Sequence, residues 1–197
     1  LREALIIAAA LSVQDPRDRP SDKADSADQA HALFVDERSD FLAYPKMWDF
    51  YDELLKHKKS TRKLAADCRD RFLSWMRLRE WRDLHGQLHA HVSELGWREN
   101  EKAADYGQVH RALLAGLLGN IGMKSEDGGD YLGARAIRFH VFPGSAVRKK
   151  QPKWVMAAEL TETTRLFARG VAAIEPEWIE QLAPHLAKKH HFDPHWE

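Results

Sequence analysis

The sequence has a single cysteine, Cys68, among 197 residues. One thiol excludes an internal disulfide and any zinc site built from several cysteines, and it suits a reducing, cytoplasmic setting. Net charge is missing too: thirty Lys and Arg balance thirty Asp and Glu. Any case for a polyanionic partner must therefore come from local clusters. Long apolar runs are absent. The longest, Ala4 to Val13, has ten residues and is too short to span a bilayer. A signal peptide is not expected, because Glu3 precedes the run and no cleavage site follows it. No G-x-x-x-x-G-K-[ST] loop occurs, so no such nucleotide cradle is available, and Gly128-Gly129 belongs to a turn. No H-E-x-x-H pattern occurs either: Gly86 follows His85. No nucleophile–base or metal-ligand set assembles, so the chain by itself is not expected to be catalytic and no cofactor or metal is expected in it. The sequence opens without Met inside a helical stretch, and a segment of a longer protein is expected.

What is present falls into two patterns. Leu1 to Val13 reads as a buried helix stopped by Asp15-Pro16. Asp15 to Asp40 holds eight acidic and four basic residues, with a helical piece around Ala24 to Leu33. Ser39-Asp40 can cap a helix to about Lys58, with Tyr51, Leu54 and Leu55 facing inward and Pro45 either in its first turns or kinking it. Charge then reverses: Lys56 to Arg82 carries ten basic and three acidic residues. A long helix follows from Arg69 or Arg79 to Leu95, with Leu84, Leu88, Val92 and Leu95 as its stripe and Gly96 as its stop. Asp105 can cap a last helix facing inward through Val109, Leu113, Leu114, Leu117 and Leu118. After Ile121 the period changes. Ala136 to Phe142 alternates, with Ile137, Phe139 and Val141 on one side and Arg138 and His140 on the other. Val155 to Leu160 and Leu166 to Ile174 are further strands, and Glu175-Pro176 opens a short helix with Trp178, Ile179 and Leu182. The histidine-rich tail from Lys188 is expected to fray. The fold class is α+β: a helical bundle over 1–121, then a small β-domain over 122–197 ending in a helix.

The strongest local feature is Tyr131 to Lys153. It holds Arg135, Arg138, Arg148, Lys149, Lys150 and Lys153 with no acidic residue, and Phe139, Phe142 and Trp154 are interleaved or adjacent. Small β-barrels bind single strands with such parts, a cationic groove for phosphates and aromatic faces for bases. Pro143-Gly144-Ser145 would add a turn whose N–H groups and hydroxyl could hold a phosphate. The bland alternative is a solvated basic loop with its aromatics in the core. Arg77, Arg79 and Arg82 form a second candidate on the long helix, against ordinary surface charge with buried stems. His85 and His89 share a helical face at metal-ligand spacing but have no local third ligand. Cys68 reads as a small buried apolar residue, and the seven tryptophans as core anchors.

Several collinear segments resemble the C-terminal accessory region of bacterial DEAH-box ATP-dependent RNA helicases of the HrpA type. They are Ala8 to Arg17 with Arg19-Pro20, Ser39-Asp40-Phe41-Leu42, Arg77-Leu78-Arg79-Glu80-Trp81 and His110 to Leu118. The longest runs from Tyr131 through Phe142-Pro143-Gly144-Ser145 to Val155, continuing into Glu159-Leu160, Thr163, Arg165 and Glu175-Pro176-Glu177-Trp178. Ala146-Val147-Arg148 departs from a continuation richer in glycine and aromatics. The resemblance implies a helical ratchet domain to about Ile121 and an OB-fold domain after it. It implies RecA-like motor domains as partners, which would hold ATP and Mg outside this chain, and single-stranded RNA (or DNA) enclosed between the parts. By that likeness Phe142, Gly144 and Ser145 lie near RNA with Arg138, Arg148, Lys149, Lys150 and Lys153. Arg77 and Arg79 are added for their charge. A surface receiving protein regulators is the alternative function.

Overall fold

The computed structural model describes residues 1–57, 60–126 and 128–185; the histidine-rich tail lies outside them. Helix α1 (Arg2–Leu11) is apolar on most of its surface, as only a central helix can be, and buries Leu5, Ile6, Ile7, Ala9 and Ala10. Around it stand α3 (Ala43–Lys56), α5 (Trp75–Glu94) and α6 (Tyr106–Leu117). Two shorter helices, α2 (Ala24–His31) and α4 (Thr61–Arg69), complete the bundle. Trp81 of α5 is its anchor. It is fully buried, packs edge-on against Trp48 at 5.2 Å and Tyr44 at 6.0 Å, and donates its indole N–H to Ile6 O at 2.9 Å.

Local signals were good guides to some helix ends and poor guides to others. Asp105 caps α6 in a capping box with Gln108, and Pro45 sits in the first turn of α3. The long helix starts at neither Arg69 nor Arg79 but at Trp75. Phe72 adopts a left-handed φ of 52° and breaks the chain there, and Ser74 caps the new start. Leu95, placed on the inner stripe, is 68% exposed because the helix has run past its neighbours, and Leu55 also faces out at 37%. Ser39 and Asp40 do not cap α3: a 3-10 turn over Asp40–Leu42 precedes it, and both side chains are engaged elsewhere.

The barrel comprises β1 (Ile121–Lys124), β2 (Tyr131–Gly133), β3 (Arg138–Val141), β4 (Trp154–Glu162) and β5 (Leu166–Ala173), and α7 (Pro176–Leu182) follows. The strands close in the order β1-β2-β3-β5-β4, antiparallel except for β3 beside β5. That is the OB-fold arrangement. Phe139 with Val141 and Val155 with Ala157 alternate inward to fill it, and Ala168, Val171, Tyr131 and Val147 complete the filling. The strand expected from Ala136 begins two residues later. Arg135 and Ala136 take φ values of 56° and 60° to reverse the chain after β2, and this throws Ile137 outward, 45% exposed, rather than alongside Phe139. The opposite faces of β4 and β5 are equally dictated by burial. Met156, Ala172 and Ile174, with Ile179 of α7, join the core of the helical bundle.

Candidate nucleic-acid interface

Strand β5 positions the site because β3 covers only half of its edge. Phe142 N–H donates to Ala168 O at 3.0 Å, and beyond this β3 departs. The freed edge is taken by residues 38–40 of the bundle. Ala173 N–H donates to Arg38 O at 2.8 Å and Ser39 pairs with Ala172. Gly170, at φ 61°, turns the strand so that Val171 N–H points at Asp40. The Asp40 carboxylate then accepts three hydrogen bonds, from Ser145 Oγ at 2.6 Å, Ala146 N–H at 3.0 Å and Val171 N–H at 2.9 Å. The Pro143-Gly144-Ser145 turn gathers donors around an anion, as its composition suggested, but in this structure the anion is a carboxylate from the chain's own bundle.

Behind this latch, Ser39 and His110 are both fully buried and bonded Oγ to Nε2 at 2.6 Å. His110 Nδ1 faces Tyr106 O at 2.7 Å. A carbonyl only accepts, so the partners assign the hydrogen to Nδ1 and leave Nε2 to accept the Ser39 hydroxyl. Burial pushes the imidazole down to about 4, so it is neutral near pH 7. Tyr106 stacks on His110 at 3.8 Å, carries the Arg38 guanidinium 3.9 Å above its ring, and places its hydroxyl between Arg38 O and Ala173 O. Burial raises that phenol well above its ordinary value.

The connection from β3 to β4 brings Phe142, Gly144, Ser145, Arg148, Lys149, Lys150 and Lys153 together, on a 3-10 turn (Ala146–Lys149) anchored inward by Val147. Arg148, Lys149 and Lys153 are exposed and have no ion pair among the described residues; Lys150 pairs with Glu37 at 2.9 Å. Phe142 is not an open stacking plate. The Arg169 guanidinium lies 3.7 Å over its ring, and Gly144 approaches so closely that a Cβ there would sit 3.0 Å from the ring. Phe139 is buried in the barrel, and Trp154 packs against the bundle core. Arg138 lies across the barrel, bonded to Asp130 at 3.0 Å and Ser125 at 3.3 Å. Arg77 and Arg79 stand apart on α5. Arg77 donates to Asp18 at 2.8 Å and Asp15 O at 3.1 Å, and Arg79 lies exposed, 5.9 Å from the Trp75 ring centre. Both line a cleft of about 560 Å³ that Glu80 and Asp83 share, so its charge is mixed. His85 and His89 stack at 6.3 Å, with Trp48 against His85 and Glu99 near His89; no group of three metal-ligating side chains occurs among the described residues.

Sequence reasoning passed over Arg169, cast Asp40 as a helix cap and gave His110 no role of its own. The alternation of β5 could have shown Arg169 pointing outward. Nothing local could have shown Asp40 reaching a loop more than a hundred residues away.

Residues 109–186 match the family described as oligonucleotide/oligosaccharide-binding (OB)-fold, a span that takes in most of α6, the barrel and α7. The architecture and this match define an OB-fold unit joined to a helical bundle. The chain is 50% identical over all 197 residues to the ATP-dependent RNA helicase HrpA of Escherichia coli (strain K12), of which it spans 15%. It is 48% identical over 194 residues to the HrpA homolog of Haemophilus influenzae, again 15% of that protein. It is 28% identical over 189 residues to the probable ATP-dependent RNA helicase DHX35 of Homo sapiens, 25% of its length. The chain is thus similar along its whole length to HrpA ATP-dependent RNA helicases, and spans about one seventh of their length. Among the described residues no helix is long and apolar enough to cross a membrane.

Proposed function

We propose that this chain is the accessory nucleic-acid-binding region of an ATP-dependent RNA helicase, and that it guides single-stranded RNA past RecA-like motor domains. ATP and Mg belong to those domains in this reading, and the bundle and barrel contribute contacts to the strand. The observation that carries it is the run Arg148, Lys149 and Lys153, exposed and free of carboxylate partners among the described residues, on a turn fixed by Val147 and by the Ser145–Asp40 hydrogen bond. A fixed cationic ridge on a barrel meets phosphates at little ordering cost.

The test is a titration of fluorescently labelled oligouridylate by anisotropy across a salt series. Replacing Lys149, Lys150 and Lys153 together by Ala should reduce the log–log salt slope by about 1.4, at roughly 0.7 per single-strand phosphate contact for Lys149 and Lys153, because Lys150 already meets Glu37. If wild type and triple variant give the same curves, the loop is not the site.

A second reading, docking of a protein regulator, has Leu132 and Ile137 in its favour, 37% and 45% exposed around the turn from β2 to β3. Two side chains fall short of the several-hundred-Å² patch that usually marks such a surface. An RNA-independent loss of a bound regulator on replacing both by Ser would support it.

A further inference from the structure

We infer that Arg169 is a phosphate-binding side chain of the barrel, gripping a phosphodiester of single-stranded RNA on the outer face of β3 and β5; this rests on the RNA-binding reading above. The register pairs His140 with Phe167 and Val141 with Ala168. Val141 and Ala168 point into the barrel, so His140, Phe142, Phe167 and Arg169 share the outer face. Their rings form a contiguous row: His140 to Phe167 at 6.3 Å, Phe167 to Phe142 at 6.0 Å and perpendicular, and the Arg169 guanidinium 3.7 Å over Phe142.

The backbone beneath Arg169 is pinned on both sides. Ala168 O accepts from Phe142 N–H, and Val171 N–H is held by Asp40. The guanidinium itself lies on Phe142 and has no hydrogen bond or ion pair among the described residues. This separates it from Arg77, Arg138 and Lys150, whose charges meet Asp18, Asp130 and Glu37. A guanidinium stacked on a ring keeps its N–H fork pre-set, and that fork matches two oxygens of a phosphate.

Electrostatics also favours this face over the one OB-folds more often use, strands β2 and β3 with the loops beside them. Here the loop from β1 to β2 carries Glu126 and Asp130, and Asp130 already holds Arg138. Beside β5, by contrast, packs the turn carrying Arg148 and Lys149. A strand crossing Arg169 toward that turn meets Arg148 and Lys149 next; Glu159 of β4, opposite Arg169 in the register, is the acidic side chain on this face and sets the side the strand avoids.

The experiment measures oligouridylate binding by wild type, Arg169→Ala and Arg169→Lys across a salt series, with thermal melts alongside. For Arg169→Ala, affinity at low salt should fall on the order of tenfold or more, and the salt slope should shrink by about 0.7. Arg169→Lys keeps the charge but loses the fork, so its slope should stay at the wild-type value while its affinity falls. If Arg169→Ala lowers the melting temperature, the Lys variant decides. Wild-type affinity in Arg169→Lys, or wild-type affinity and slope in Arg169→Ala, would overturn the inference while leaving the basic-loop reading standing. No binding by the wild type at low salt would overturn that reading and this inference together.

Discussion

Replacing Asp40 by Ala removes the acceptor shared by three donors, and the cost can be worked donor by donor. Val171 is buried, so its N–H at 2.9 Å would be left without a partner, at roughly 1–3 kcal/mol. Ser145 Oγ and Ala146 N–H are only half-buried and can turn to water, so each forfeits nearer 0.5–1 kcal/mol. The total is about 3 kcal/mol. For a chain of this size 1 kcal/mol moves the midpoint by roughly 2–4 °C, so the variant should melt about 6–12 °C below wild type. Scanning calorimetry on wild type, Asp40→Ala, Ser145→Ala and the double variant provides the assay. Asp40 and Ser145 should couple by about 1 kcal/mol in that cycle, because one hydrogen bond is lost in both single variants. A midpoint shift under about 2 °C for Asp40→Ala would refute the reasoning, since the carboxylate would then contribute nothing that water does not replace.

Two further outcomes follow from the same core. His110 titrates at about 4 when folded against 6.5 unfolded, so the unfolded chain binds the proton more readily between these values. Its contribution is fully present above about pH 6.5 and lost as pH falls toward 4, reaching roughly 3 kcal/mol. Urea melts of wild type against His110→Gln at pH 7 and pH 4.5 should show the smaller acid loss in the variant. Trp81→Phe removes the second hydrogen bond to the Ile6 carbonyl and empties part of the Trp48–Tyr44 cluster, and should cost about 2–4 kcal/mol by chemical denaturation.

How much of this the sequence revealed depends on whether the cause is local. The capping box at Asp105, the Pro45 first turn and the inward alternation of Phe139 and Val141 each depend on neighbours within four residues, and each reads directly. Strands β1 and β2 have four and three residues, too few for a period to show, and they escaped reading. Ser39 and Asp40 illustrate the harder failure. Both residue types favour helix starts, but their partners are His110 and Ser145, 71 and 105 residues distant. The basic stretch at 148–153 was legible as composition. That Phe142 serves as a platform for Arg169 was not, because the two meet only when β3 and β5 pair in parallel.

The central claim, a cationic barrel edge built to hold a single strand, is tested most directly by the salt dependence of oligouridylate binding to the unmodified chain. The account predicts measurable binding at low salt that weakens steeply, with a log–log slope of about −2 to −3 from three or four phosphate contacts. Binding absent at low salt, or a slope near zero, would contradict it.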